Sequence, residues 1–106
     1  MTKISNFIHG EIVNSNSSEE IEVFDPSKGE VINKVCCSND IDIDQLIESS
    51  KKGFEEWSSF TPLKRSRVIF KFKNIIEENI ENLAIIVSTE HGKTIEDAKG
   101  SIIRGL

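Results

Sequence analysis

At Ser38 the spacing of apolar residues changes from a period of about two to a period of about 3.6, and this divides the chain into a strand-forming part and a helix-forming part. Before it, Asn6–Val13 carries two short apolar runs around His9-Gly10, a pair that tolerates the positive φ of a two-residue hairpin turn. The Ser- and Asn-rich stretch 14–19 reads as a loop. Ile21-Glu22-Val23-Phe24 then alternates apolar and charged residues. In the Asp25-Pro26-Ser27-Lys28-Gly29 turn that follows, Asp caps, Pro presets φ and Gly provides the exit. Glu30–Cys37 returns as a longer strand, so residues 1–37 are expected to form a β meander of two hairpins.

After Ser38, Ile43, Leu46, Ile47, Ser50, Phe54 and Trp57 share one helical face, with Asp40, Asp42 and Asp44 near the positive end of that helix. Thr61-Pro62 is an N-cap followed by Pro at the first helical position, and it opens a second helix through Ile69, Phe72, Ile75 and Ile76. A stripe of Ile80, Leu83, Ala84 and Val87 carries that helix on to Glu90, with a bend or break expected at Asn79. Gly92 is the stop, and Thr94 caps a third helix whose first turn holds Glu96 and Asp97. Residues 38–106 are thus expected to form about three helices. Val68, Phe70, Ile85 and Ile86 lie off the main stripes, and a helix apolar nearly all round is normally buried on two sides. The sequence therefore predicts a larger body than 106 residues supply. The last helix has hardly begun when Leu106 is reached, and no Pro or capping tail follows it, so the chain is expected to continue.

The bulk properties exclude more than they propose. A length of 106 residues sets one small domain as the upper limit. With a net charge of −5 and interspersed signs, no positive face tracks a phosphate backbone, and nucleic acid is not an expected partner. The longest apolar run, Ala84–Val87, is far short of the roughly 20 residues of a membrane span. Met1–His9 has no basic segment leading into an apolar stretch, and a cytoplasmic location is expected.

Adjacent Cys36 and Cys37 end a strand and point to opposite faces, an arrangement that neither chelates one metal nor forms an easy disulfide. One buried and one exposed thiol are expected, and neither is a candidate nucleophile. Gly92-Lys93-Thr94 superficially matches the end of a phosphate-binding loop, but the first Gly such a loop needs is Val87 here and no strand precedes it. His91 reads as a solvated helix-end residue. Lys64, Arg65, Arg67, Lys71 and Lys73 read as a solvated or salt-bridged face, with contact to a second subunit or to a coenzyme as the alternative.

The series Asn6-Phe7-Ile8-x-Gly10-Glu11, Asp25-Pro26-x-x-Gly29-Glu30-Val31-Ile32, Phe54-x-x-Trp57, Arg65, Leu83-Ala84 and Glu90-x-Gly92-Lys93-Thr94 resembles the N-terminal end of the NAD(P)-dependent aldehyde dehydrogenase superfamily. Phe70-Lys71-Phe72 and the ending Arg104-Gly105-Leu106 resemble its methylmalonate-semialdehyde dehydrogenase branch, which acylates coenzyme A. His9 and Asp25 stand where the family usually has Asn, and Cys37 where it commonly has Pro.

The resemblance implies an α/β fold, with residues 1–106 forming an incomplete N-terminal part of an NAD-binding domain. It also implies NAD as cofactor and coenzyme A as acyl acceptor, neither bound by the isolated chain, and a homotetrameric parent enzyme. The expected partners are the remainder of the dehydrogenase chain or its subunits. The family's catalytic Cys, general-base Glu and dinucleotide motifs match no position here, so no catalytic, cofactor-binding or metal-binding residue is expected. One residue carries over: Arg104, followed by Gly105, matches the Arg that binds the substrate's carboxylate, a role a planar guanidinium performs through two parallel hydrogen bonds. Read without the resemblance, Arg104 is a cation favoured by the helix C-terminal dipole. The function expected is that of the N-terminal portion of a methylmalonate- or malonate-semialdehyde dehydrogenase, inactive in isolation. The alternatives are a binding or assembly module on a full-length subunit, or a piece of another aldehyde dehydrogenase branch.

Overall fold

The computed structural model describes residues 2–106. Five strands, β1 (Thr2–Ile4), β2 (Asn6–Ile8), β3 (Glu11–Val13), β4 (Glu20–Asp25) and β5 (Glu30–Cys36), precede four helices, α1 (Asp40–Ser59), α2 (Pro62–Glu78), α3 (Ile80–His91) and α4 (Ile95–Arg104). Four helices stand where the sequence suggested about three. At Asn79 the backbone leaves helical geometry (φ −110°, ψ 10°), and its side-chain amide donates to the Ile75 carbonyl at 2.8 Å, which ends α2 before α3 begins.

The chain divides into two units, one of residues 2–23 and 31–60, the other of residues 24–30 and 61–106. In the first, β2 and β3 form an antiparallel hairpin that pairs Asn6 with Val13, and the turn at its tip holds His9 at φ 56° and Gly10 at φ 80°. The second expected hairpin, β4–β5, lies in a separate sheet of order β1-β5-β4. Its edge strand β1 runs parallel to β5, with Thr2 opposite Asn33, and was not expected. The loop after β3 anchors α1. Asp42, almost fully buried, accepts hydrogen bonds from the Ser15 hydroxyl, from the Asn16 N–H at 2.9 Å and amide at 2.8 Å, and from the Asn39 N–H at 3.0 Å. Asn39 in turn accepts from the Asp42 N–H at 3.2 Å, completing a reciprocal cap. These bonds, the Ser15 hydroxyl foremost, hold the Asp42 carboxyl well below the usual carboxylate range against the opposing effect of burial.

In the second unit the Asp25 carboxylate accepts from the Ser27 N–H at 2.9 Å and closes the turn read from the sequence. Thr61 caps α2 through the Lys64 N–H, and Thr94 caps α4 through the Asp97 N–H, each at 3.2 Å. Gly92 ends α3 in the left-handed region at φ 81°, donating to the Ser88 carbonyl at 2.8 Å. Helices α3 and α4 pack together with Ala84 and Ala98 wholly buried, and Lys99 of α4 reaches Glu81 of α3 at 2.7 Å. Those two alanines and Cys36 are the buried apolar residues among those described. Val68, Phe70, Ile85 and Ile86, the residues off the helical stripes, are all exposed.

Candidate functional site

Helix α4 and the turn before it gather three polar side chains. Ser101 and Arg104 stand three residues apart and so lie on one helical face, while Lys93 precedes the Thr94 cap. The Lys93 Nζ donates to Ser101 Oγ at 2.7 Å, and Arg104 Nη2 donates to the same oxygen at 3.1 Å. The Ser101 hydroxyl itself donates to the Asp97 carbonyl, at 3.0 Å. With its proton committed to the helix backbone, the hydroxyl turns both lone pairs toward the two cations.

Arg104 is the last residue of α4 and is exposed, whereas Lys93 and Ser101 are half-buried. Among the described residues neither Lys93 nor Arg104 has a carboxylate at ion-pair distance. Sharing one oxygen holds them within about 6 Å of each other, where like charges repel unless an anion intervenes. Each keeps donors free. The arrangement can bind an anion. The sequence singled out Arg104 by resemblance. Lys93 entered there as part of the resemblance series and of the rejected phosphate loop, with no site role assigned, and the structure supports that rejection, since helix α3 rather than a strand leads into Gly92. The signal for Ser101 was its spacing of three from Arg104.

The remaining candidates lie outside this cluster in the sequence. Cys36 is buried and its Sγ lies 3.4 Å from Asn6 Oδ1, while Cys37 is half-buried with its N–H on the Glu19 carbonyl at 2.9 Å. His91 is exposed at the end of α3. In the α2 basic cluster Lys73 pairs with Glu77. No group of three or more His, Cys, Asp or Glu side chains that could hold a metal ion is found among the described residues, and among them no helix is long and apolar enough to cross a membrane.

Residues 12–106 match the aldehyde dehydrogenase family. Malonate-semialdehyde dehydrogenase of Pseudomonas aeruginosa is 36% identical over 106 residues, covering 100% of this chain and 21% of its own length. The methylmalonate-semialdehyde/malonate-semialdehyde dehydrogenase [acylating], mitochondrial, of Mus musculus is 35% identical over 100 residues, or 94% of this chain and 19% of its own. A crystal structure from Sinorhizobium meliloti 1021, described provisionally as a methylmalonate-semialdehyde dehydrogenase complexed with NAD, superposes with a TM-score of 0.96 at 39% identity over 98% of this chain and 21% of that one. The chain thus spans about a fifth of the length of the relatives it matches.

Proposed function

We propose, from the premise that the chain belongs to the aldehyde dehydrogenase family, that it is the N-terminal portion of a malonate- or methylmalonate-semialdehyde dehydrogenase and contributes to the NAD-binding domain of that enzyme. The observation that carries this reading is the coverage of nearly the whole chain at 39% identity by the Sinorhizobium meliloti structure described provisionally as a methylmalonate-semialdehyde dehydrogenase, against 30% for an aldehyde dehydrogenase from Bacillus cereus and 22% for a 3,6-anhydro-L-galactose dehydrogenase. NAD is the oxidant and coenzyme A the acyl acceptor, in line with the NAD bound in the first of those structures and the acylating activity named for the mouse relative. The passage from β5 to α1 runs through Cys37-Ser38-Asn39 and lacks the glycines that let a backbone approach a pyrophosphate. The cofactor and the nucleophile belong to the remaining four fifths of the enzyme, and the free thiols Cys36 and Cys37 fit a reducing cytoplasm.

Within that enzyme the chain's own contribution to the reaction is recognition. The Arg104 guanidinium, exposed and without a carboxylate partner among the described residues, receives the carboxylate of the acid semialdehyde and orients the aldehyde toward the nucleophile. Steady-state kinetics on the complete dehydrogenase test this. Arg104→Ala is expected to lower kcat/KM for malonate semialdehyde about 10²- to 10³-fold, with a much smaller loss for propanal. An equal loss on both aldehydes would reduce Arg104 to a helix-end cation. The exposed apolar faces of α1 and α2 support a second reading, in which the chain is a separate polypeptide that docks on a full-length dehydrogenase subunit as a binding or assembly module.

A further inference from the structure

The geometry points to Lys93 as a second cation of the carboxylate subsite, with Ser101 as the positioning residue that sets Lys93 and Arg104 against the same anion. This inference rests on the reading of Arg104 given above. Three distances carry it: 2.7 Å from Lys93 Nζ to Ser101 Oγ, 3.1 Å from Arg104 Nη2 to the same oxygen, and 3.0 Å from that oxygen to the Asp97 carbonyl. Because the hydroxyl proton is held by the backbone, Ser101 acts only as an acceptor toward the two side chains, and it fixes both without neutralising either. An aspartate at this place would pair with the cations and leave the subsite with little net charge. A serine leaves two positive charges and several unused donors converging from Lys93 before the cap and Arg104 at the end of one ten-residue helix. A single carboxylate fits that demand: one oxygen takes the ammonium, the other the guanidinium, and the repulsion between the cations is relieved on binding.

The experiment compares variants of the complete dehydrogenase on malonate semialdehyde and on propanal, and measures malonate binding to the cofactor-free enzyme by calorimetry. Lys93→Gln is expected to raise KM for malonate semialdehyde and the Kd for malonate about 10-fold, with little change in kcat and a smaller loss on propanal. Lys93→Arg, which restores charge and donors, should recover most of both. Ser101→Ala keeps both charges but frees the side chains, and should weaken malonate about threefold. Equal losses on the two aldehydes in Lys93→Gln, or no recovery in Lys93→Arg, would overturn the inference. If Arg104→Ala discriminates between the aldehydes and Lys93→Gln does not, the inference fails while the reading of Arg104 stands. If Arg104→Ala does not discriminate, both fail.

Discussion

Individual residues carry the local order of this chain through a few saturated polar groups and a few backbone positions. The Asp42 carboxylate accepts four hydrogen bonds, three of them from a loop whose composition suggested only a linker. A carboxyl with a depressed folded pKa binds its proton less readily in the native state than in the unfolded chain. Its stabilisation is therefore complete above the ordinary carboxylate pKa of about 3.9 and is lost as the pH falls through the folded value. In the complete dehydrogenase Asp42→Asn should accordingly speed amide exchange at Asn16 and Asn39 at neutral pH, and the difference from the unmodified enzyme should shrink as the pH is lowered below about 4. An exchange difference that is flat with pH would assign the effect to shape rather than charge. Gly92 illustrates a second kind of constraint. Its φ of 81° is strained for any L side chain, and a Cβ there would lie 2.9 Å from the Pro26 Cγ. At Gly10, where φ is 80°, the same Cβ meets open space. Gly92→Ala is therefore expected to cost about 1–3 kcal/mol and more than Gly10→Ala, as read from the midpoints of their thermal transitions in the complete dehydrogenase.

At the scale of elements, what could be read from the sequence was whatever a few adjacent residues decide. Thr61-Pro62, Thr94, Gly92 and His9-Gly10 carry their boundary chemistry within a single turn, and each does in the structure what that chemistry requires. Strand β1 was not legible. It is three residues long and finds its partner 31 positions away, a non-local pairing that no periodicity records. The anchoring of α1 by Ser15 and Asn16 was hidden for the same reason. Asn79 lies between these cases, because its capacity to cap a carbonyl was visible while its choice between bending and ending the helix depends on tertiary context. The role proposed for Arg104 rests on resemblance, and the hydrogen bonds that Arg104 and Lys93 both give to Ser101 needed the structure. The packing of α3 on α4 yields its own expectation. Ala84 and Ala98 have no exposed surface, so Ala98→Leu should cost about 1–3 kcal/mol by overpacking. Faster amide exchange in both α3 and α4 would show it, whereas a change confined to α4 would place the strain within one helix.

For the molecule as a whole, the decisive quantity is the apolar surface left uncovered. Phe7, Phe54 and Phe70 are each about two-thirds or more exposed (71%, 69% and 66%), and among the described residues no large side chain is fully buried. The three buried apolar residues among those described cannot offset the conformational entropy of ordering a chain this long. The secondary structure, in contrast, rests on local caps that need no distant partner. The free chain is therefore expected to keep a helical far-ultraviolet signal while showing weak near-ultraviolet circular dichroism and binding a hydrophobic dye, and to support no aldehyde-dependent reduction of NAD. Adding the complementary C-terminal polypeptide of the dehydrogenase should suppress dye binding and bring up the near-ultraviolet signal, because the faces of α1 and α2 then find the body that covers them. A sharp, cooperative thermal transition of the monomer without dye binding would show instead that the core is already complete within these residues, and the enzyme-portion reading would lose its physical basis.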